Sequence, residues 1–99
     1  MEFDGFDWDS GNRSKCQKHG VPIAEIESLF HGMPLVGPDV QHSRKEQRFR
    51  AVGLTAKGRS LFVVFTSRQN GELLLIRPIS ARYMHKEEVK AHEKEIPGL

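Results

Sequence analysis

Residues 3–8 alternate aromatic and acidic side chains, which puts Phe6 and Trp8 on one side of an extended segment and Asp7 and Asp9 on the other, so a short first strand is expected. Asp9 and Ser10 can cap a helix, and Gly20, following the cationic pair Lys18 and His19, is placed to end it, predicting a short polar helix over residues 10–19. Pro22 then opens a second helix as a first-turn proline. Its apolar face is Ile23, Ile26, Leu29 and Phe30, and Gly32 and Pro34 stop it. Between residues 33 and 45 the apolar positions Met33, Leu35, Val36 and Val40 are broken by prolines and glycines, so any strand there is short or irregular. Three firmer strands follow at residues 48–54, 60–67 and 72–79, joined by short glycine-containing turns as an antiparallel meander. Asn70-Gly71 marks the last hairpin. Residues 61–65, Leu-Phe-Val-Val-Phe, lack a polar face, as a central strand covered on both sides would. Pro78 cannot donate to a ladder, so the last strand ends near it or turns it outward. From residue 84 to 96 the pattern is helical, with His85, Val89, His92 and Ile96 along one stripe. The expected fold is therefore α+β: two N-terminal helices, a small antiparallel sheet and a C-terminal helix, in one domain over residues 1–99.

Composition agrees with a globular chain of one modest core: 99 residues, 37% hydrophobic and 28% charged, with a mean hydropathy of −0.51. The longest apolar runs are too short to cross a bilayer, and the acidic beginning is unlike a signal peptide, so a cytoplasmic protein with no membrane partner is expected. A lone Cys16 cannot close an internal disulfide. Charge changes the picture more than composition does. Residues 1–10 carry four acids and no Lys or Arg, whereas residues 11–60 carry nine Lys or Arg against four acids. The basic middle suits an anionic partner, although a mixed solvated surface would look the same.

Three blocks of the chain carry recognisable motifs. The first is Phe6-Asp7-Trp8-Asp9-Ser10-Gly11-Asn12, continuing through Lys15 to Lys18-His19-Gly20-Val21, then Glu25 and Phe30. The second is Glu46-Gln47-Arg48-Phe49 with Gly53, Gly58-Arg59-Ser60-Leu61 and the run from Val63 to Thr66. The third is Ile76-Arg77-Pro78-Ile79-Ser80-Ala81-Arg82. Together they span about residues 6–93 and resemble the BrnT family of bacterial type II toxins. Cys16 and His92 depart from the pattern, the first where a larger apolar residue and the second where a tyrosine is common. The resemblance implies a RelE-like fold and a cytoplasmic ribonuclease whose partners are RNA and a cognate ribbon-helix-helix antitoxin of the BrnA kind. It implies contact with operator DNA only through that antitoxin, and no cofactor.

RNA can be cut without a metal when its own 2′-hydroxyl attacks the adjacent phosphorus, a base takes the proton, and cations hold the phosphate. Histidine is the side chain whose ordinary pKa lies nearest working pH, and the arginine fork matches two phosphate oxygens at once. The candidates are His19, Arg77 and Arg82, with Lys15, Lys18 and Arg48 adding backbone affinity and Tyr83 able to stack on an unpaired base. Each has a structural account beside the functional one. His19 can be an exposed histidine favoured by a helix end, and Tyr83 can pack under the last helix. Arg77 shares a strand face with Leu75 and Ile79 when counted by twos, so it needs a ligand or a buried pairing with an N-terminal Asp. Ser80 reads as a helix cap that leaves Arg82 for phosphate, and Arg48 and Arg50 share a face that a solvated strand edge would also show. No metal set is expected: His85 and His92 lie two turns apart, and no Cys or carboxylate cluster completes a site. Serine-hydrolase and phosphate-loop motifs are missing too. The competing class is a non-enzymatic module that holds nucleic acid or a partner.

Overall fold

The computed structural model describes residues 2–42 and 45–95, without the side chains of residues 42 and 92–95. In chain order the elements are β1 (Gly5–Phe6), α1 (Ser10–Gln17), α2 (Ile23–His31), β2 (Leu35–Pro38), a 3-10 turn (Val40–His42), β3 (Phe49–Leu54), β4 (Ser60–Asn70), β5 (Leu73–Tyr83) and α3 (Lys86–Glu95). α1 begins where the cap chemistry asks. The Asp9 carboxylate accepts from the Asn12 N–H at 3.0 Å, and the Asn12 side chain accepts from the Asp9 N–H at 2.7 Å, closing a capping box. Gly20 follows at φ +82°, a left-handed conformation that glycine takes without strain. Pro22 stands one position earlier than expected, as the N-cap of α2. Its carbonyl accepts from the Ile26 N–H at 3.2 Å, and the amide hydrogen that proline lacks is not required there.

The five strands form one sheet in the order β1-β5-β4-β3-β2. β2 to β5 make the expected antiparallel meander, but β1 lies parallel to β5 through Gly5↔Leu75 and Phe6↔Ile76, so the sheet is mixed. That departs from the antiparallel expectation. The first strand is recognisable as extended from its own residues, yet its direction is set by a partner some 70 residues away: the Asp7 N–H donates to the Ile76 carbonyl at 2.8 Å. β4 and β5 also run further than their apolar stretches suggested. The polar residues Arg68, Gln69 and Asn70 pair with Leu75, Leu74 and Leu73 beyond the core, where backbone pairing needs no apolar side chain. The hairpin therefore turns at Gly71 and Glu72, with only Gly71 at positive φ (+62°), one residue later than Asn70-Gly71 suggested.

β5 does not end at Pro78. The register with β4 shifts there, from Val64↔Ser80 to Phe65↔Pro78, leaving Ile79 as the extra residue of a β-bulge. The Pro78 carbonyl accepts from the Asn12 side-chain amide at 2.9 Å, so α1 is pinned along the edge of β5 that β1 leaves open. The bulge changes which side chains share a face. Arg77 and Arg82 are five positions apart and would alternate in a regular strand, but their partners Thr66 and Phe62 lie on one face of β4, so both arginines do as well. Ser80 lies within the strand and is no helix cap; the helix starts at Lys86.

One face of the sheet carries the core. Cys16, Val21, Ile26, Leu29, Phe30, Leu61, Val63, Phe65, Ile76 and Ala81 are buried together, and Phe30 meets Phe65 edge-on with ring centroids 5.0 Å apart. Burying side chains of this size contributes about 1.5–3 kcal/mol each. α2 approaches β3 so closely that a Cβ on Gly53 would lie 3.0 Å from the Leu29 Cδ1 and 3.3 Å from the Pro34 Cα. The central strand is covered on both sides, less completely on the second: there Val64 and Thr66 are buried, while Phe62 is half-buried and lies under the Arg82 guanidinium, 4.8 Å from its ring centre. His92 and Ile96 of the expected α3 stripe lie outside the described side chains, and Val89 is half-buried.

Candidate active site

The face opposite the core holds a cleft of about 400 Å³ lined by Lys15, His19, Gln41, Arg48, Phe62, Val64, Ile79, Ser80, Ala81 and Arg82. Each wall follows from the local fold. Asn12 and Cys16, one helical turn apart, are buried against β5 and the core, so the neighbouring row, Lys15 and His19, overhangs the open face at the edge of β5. Arg48 enters from the start of β3 and Gln41 from the 3-10 turn. Phe62 and Val64 give an apolar floor, and the bulge at Ile79 brings Ser80 and Arg82 into the same hollow. Lys15, Arg48 and Arg82 are cations, His19 can carry or take a proton, and no carboxylate belongs to the lining. Such a surface attracts an anion whose attached group packs on carbon.

Arg82 is held in place by α3. Its Nη1 donates to the Glu88 Oε1 at 2.8 Å and its Nη2 lies 2.8 Å from Oε2, a two-pronged pair. The Arg82 hydrogen bonds, with a further one from the His85 N–H at 3.2 Å, hold the Glu88 carboxyl well below its usual range, at about 2. Two of the five guanidinium N–H donors face Glu88, the only carboxylate paired with Arg82 among the described residues.

Arg77 is held elsewhere, by two carboxylates. Its Nη2 donates to the Asp9 Oδ2 at 2.8 Å and its Nη1 to the Asp7 Oδ2 at 3.4 Å, with 22% of the side chain exposed. The Asp9 carboxyl is lowered first by the Asn12 N–H and next by Arg77. The pairing with an N-terminal Asp is thus what the geometry shows, and Arg77 is not among the residues lining the cleft. Tyr83 is separated from the cleft as well. It faces the core side, its hydroxyl donates to the buried Glu25, and the Arg59 guanidinium lies 3.4 Å above its ring. Lys18 is exposed at the end of α1 and lines neither wall.

Of the residues singled out in the sequence, Lys15, His19, Arg48 and Arg82 come together, and Arg77, Lys18 and Tyr83 stand apart. Ser80, Gln41 and Glu88 were missed as parts of this region. The signal for Ser80 was Pro78: a proline inside a strand points to a bulge, and a bulge re-aims the side chains after it. Cys16 is fully buried, and burial pushes its thiol up to about 11, far from a nucleophile's range. Among the described residues no three His, Cys, Asp or Glu side chains group as metal ligands, and no helix is long and apolar enough to cross a membrane.

Over residues 8–88 the chain matches the family model described as the ribonuclease toxin BrnT of type II toxin-antitoxin systems. That span takes in both walls and the floor of the cleft. No curated protein matches the chain.

Proposed function

Since the chain belongs to the BrnT family of type II toxin-antitoxin ribonuclease toxins, with RNA as substrate and an antitoxin as partner, we propose that it cuts RNA without a metal in the cleft between α1 and the open face of the sheet. The observation that carries this reading is the meeting of Lys15, His19, Arg48 and Arg82, drawn from three distant segments, over an apolar floor. Arg82 and Arg48 hold the scissile phosphate, and Lys15 adds charge beside it. Neutral His19 takes the proton of the ribose 2′-hydroxyl. The 2′-oxygen then forms a bond to phosphorus, the bond from phosphorus to the 5′-oxygen breaks, and that oxygen leaves with a proton taken from water. The products are a 2′,3′-cyclic phosphate and a 5′-hydroxyl. Proton transfer of this kind contributes on the order of 10²–10⁴-fold, and preorganised charge contacts a comparable factor each. Arg77, engaged by Asp7 and Asp9, acts here by fixing the start of α1 and so the positions of Lys15 and His19.

The rest of the reading comes from the family: a cytoplasmic toxin of RelE-like architecture, held inactive by a ribbon-helix-helix antitoxin through which alone it meets operator DNA. The family description favours catalysis over a purely binding role. The test is cleavage of RNA by the purified chain in EDTA, with end-group analysis of the fragments. Cyclic phosphate ends and full activity in EDTA are expected; activity that appears only on adding Mg²⁺ or Mn²⁺ overturns the mechanism.

A further inference from the structure

A second hollow, of about 390 Å³, lies at the end of β5 and is lined by Arg59, Ser60, Tyr83, Met84, Lys86, Val89 and Lys90. Among the described residues its lining holds three cations and no carboxylate, and none of the three is in a salt bridge. Its construction breaks two local rules. Lys86 and Lys90 repel across one helical turn, and Lys86 stands in the first turn of α3, where a cation is disfavoured. An anion in the hollow removes both penalties. Arg59 is also fixed in advance: its guanidinium lies over the Tyr83 ring, 3.4 Å from the ring centre, and Tyr83 is tied through its hydroxyl to the buried Glu25, which accepts from the Thr55 hydroxyl at 2.9 Å. A stacked guanidinium keeps the N–H groups at its edge directed away from the ring, towards a ligand.

The hollow adjoins the cleft. Tyr83 follows Arg82 along β5, and α3 stands between the two regions, with Glu88 reaching Arg82 from one side of the helix while Lys86, Val89 and Lys90 form the other. We propose that Arg59, Lys86 and Lys90 form a second phosphate site, which takes a backbone phosphate of the RNA strand flanking the cut. The inference rests on the ribonuclease reading, because a strand held at Arg82 continues past this end of β5. An acidic segment of a protein partner is the alternative occupant. RNA is favoured because its repeating charge matches cations on both sides of α3.

The test compares the wild-type chain with the Lys86→Ala/Lys90→Ala and Lys86→Arg/Lys90→Arg variants. A fluorescent single-stranded oligoribonucleotide is titrated at several salt concentrations, and kcat/KM is measured on that oligonucleotide and on a dinucleotide. Losing the one phosphate held by this site lowers the slope of log K against log salt by about 0.7 and weakens binding roughly tenfold at moderate salt. The ratio of kcat/KM for oligonucleotide over dinucleotide falls with it, the arginine variant recovers most of the loss, and the unfolding midpoint of the alanine variant is at or slightly above the wild-type value. An unchanged salt slope in the alanine variant overturns the site. So does a loss of affinity confined to the copurified antitoxin, which assigns the hollow to the protein partner. If wild type binds RNA but does not cut it, the slope still decides the site and only the ribonuclease reading falls. If wild type does not bind RNA, both fall.

Discussion

Arg77 and Arg82 stand on the same strand and the same open face, each paired with carboxylate, yet the two ends of β5 hold them on different terms. The partners of Arg77, Asp7 and Asp9, lie in a segment that is itself anchored: β1 pairs with β5, Asp9 caps α1, and Asn12 ties α1 to the Pro78 carbonyl. The partner of Arg82 is one carboxylate on α3, a helix none of whose described side chains is fully buried. Exposure follows the same order, 22% for the Arg77 side chain and 44% for Arg82. An ion pair built into the scaffold is part of the fold. One made by a loosely packed helix can be exchanged for a phosphate.

The largest expected effect follows at Arg82. Arg82→Ala should lower RNA cleavage by roughly 10²–10³-fold, as losing a preorganised charge contact does, while urea unfolding barely changes. A variant that cuts at the wild-type rate erases the contrast between the two ends. Arg77→Ala should do the opposite, destabilising the domain by about 1–3 kcal/mol, between the limits for exposed and buried pairs, because two carboxylates lose their partner at once. Cleavage per folded molecule should fall less than for Arg82→Ala. If Arg77→Ala melts normally but cuts 10²-fold more slowly, Arg77 contacts phosphate and the contrast is inverted.

Asp9→Asn sharpens the comparison with a smaller change. Asparagine keeps the oxygen that caps α1 and removes the charge that Arg77 meets, so unfolding should move in the direction of Arg77→Ala but by less. Full loss of the domain's stability in Asp9→Asn would mean that the charge, and not the cap, orders this end.

Much of this was legible in the sequence, and the misses share a cause. The cap at Asp9, the stop at Gly20, the apolar face of α2 and the three later strands follow from local rules, since each signal lies within a few residues of what it sets. The parallel pairing of β1 does not, because the Asp7 N–H finds its acceptor at Ile76. The bulge at Ile79 escaped counting by twos, which assumes that no residue is inserted; the count put Ile79 beside Arg77, and Arg82 was read as lying beyond the strand. The cleft inherits that miss. Lys15, His19, Arg48 and Arg82 could be named as cations from the chain, but their meeting over Phe62 and Val64 depends on the bulge and on α1 lying along the edge of β5.

The smallest expected effect concerns Glu88, and it distinguishes a clamp from a competitor. Glu88 in the folded protein titrates at about 2 against an ordinary 4.5, chiefly because Arg82 donates to it. A carboxyl lowered in the folded state stabilises the protein above its unfolded value and loses that contribution as pH falls, so the contribution is complete above about pH 4.5 and gone below about pH 2. Arg82 is exposed and Glu88 partly so, and solvent screening keeps it small. Glu88→Gln should therefore lower the unfolding midpoint slightly at pH 7 and converge with wild type towards pH 2. Its effect on RNA should run the other way. Removing a carboxylate that occupies two donors of the Arg82 fork leaves those donors to phosphate, and RNA affinity should tighten about 2–5-fold, the exchange of one exposed ion pair. Anisotropy titration of an oligoribonucleotide beside acid unfolding measures both. If affinity weakens instead, Glu88 serves to aim Arg82 at the phosphate, and the Arg82 end of β5 is as much a built clamp as the Arg77 end.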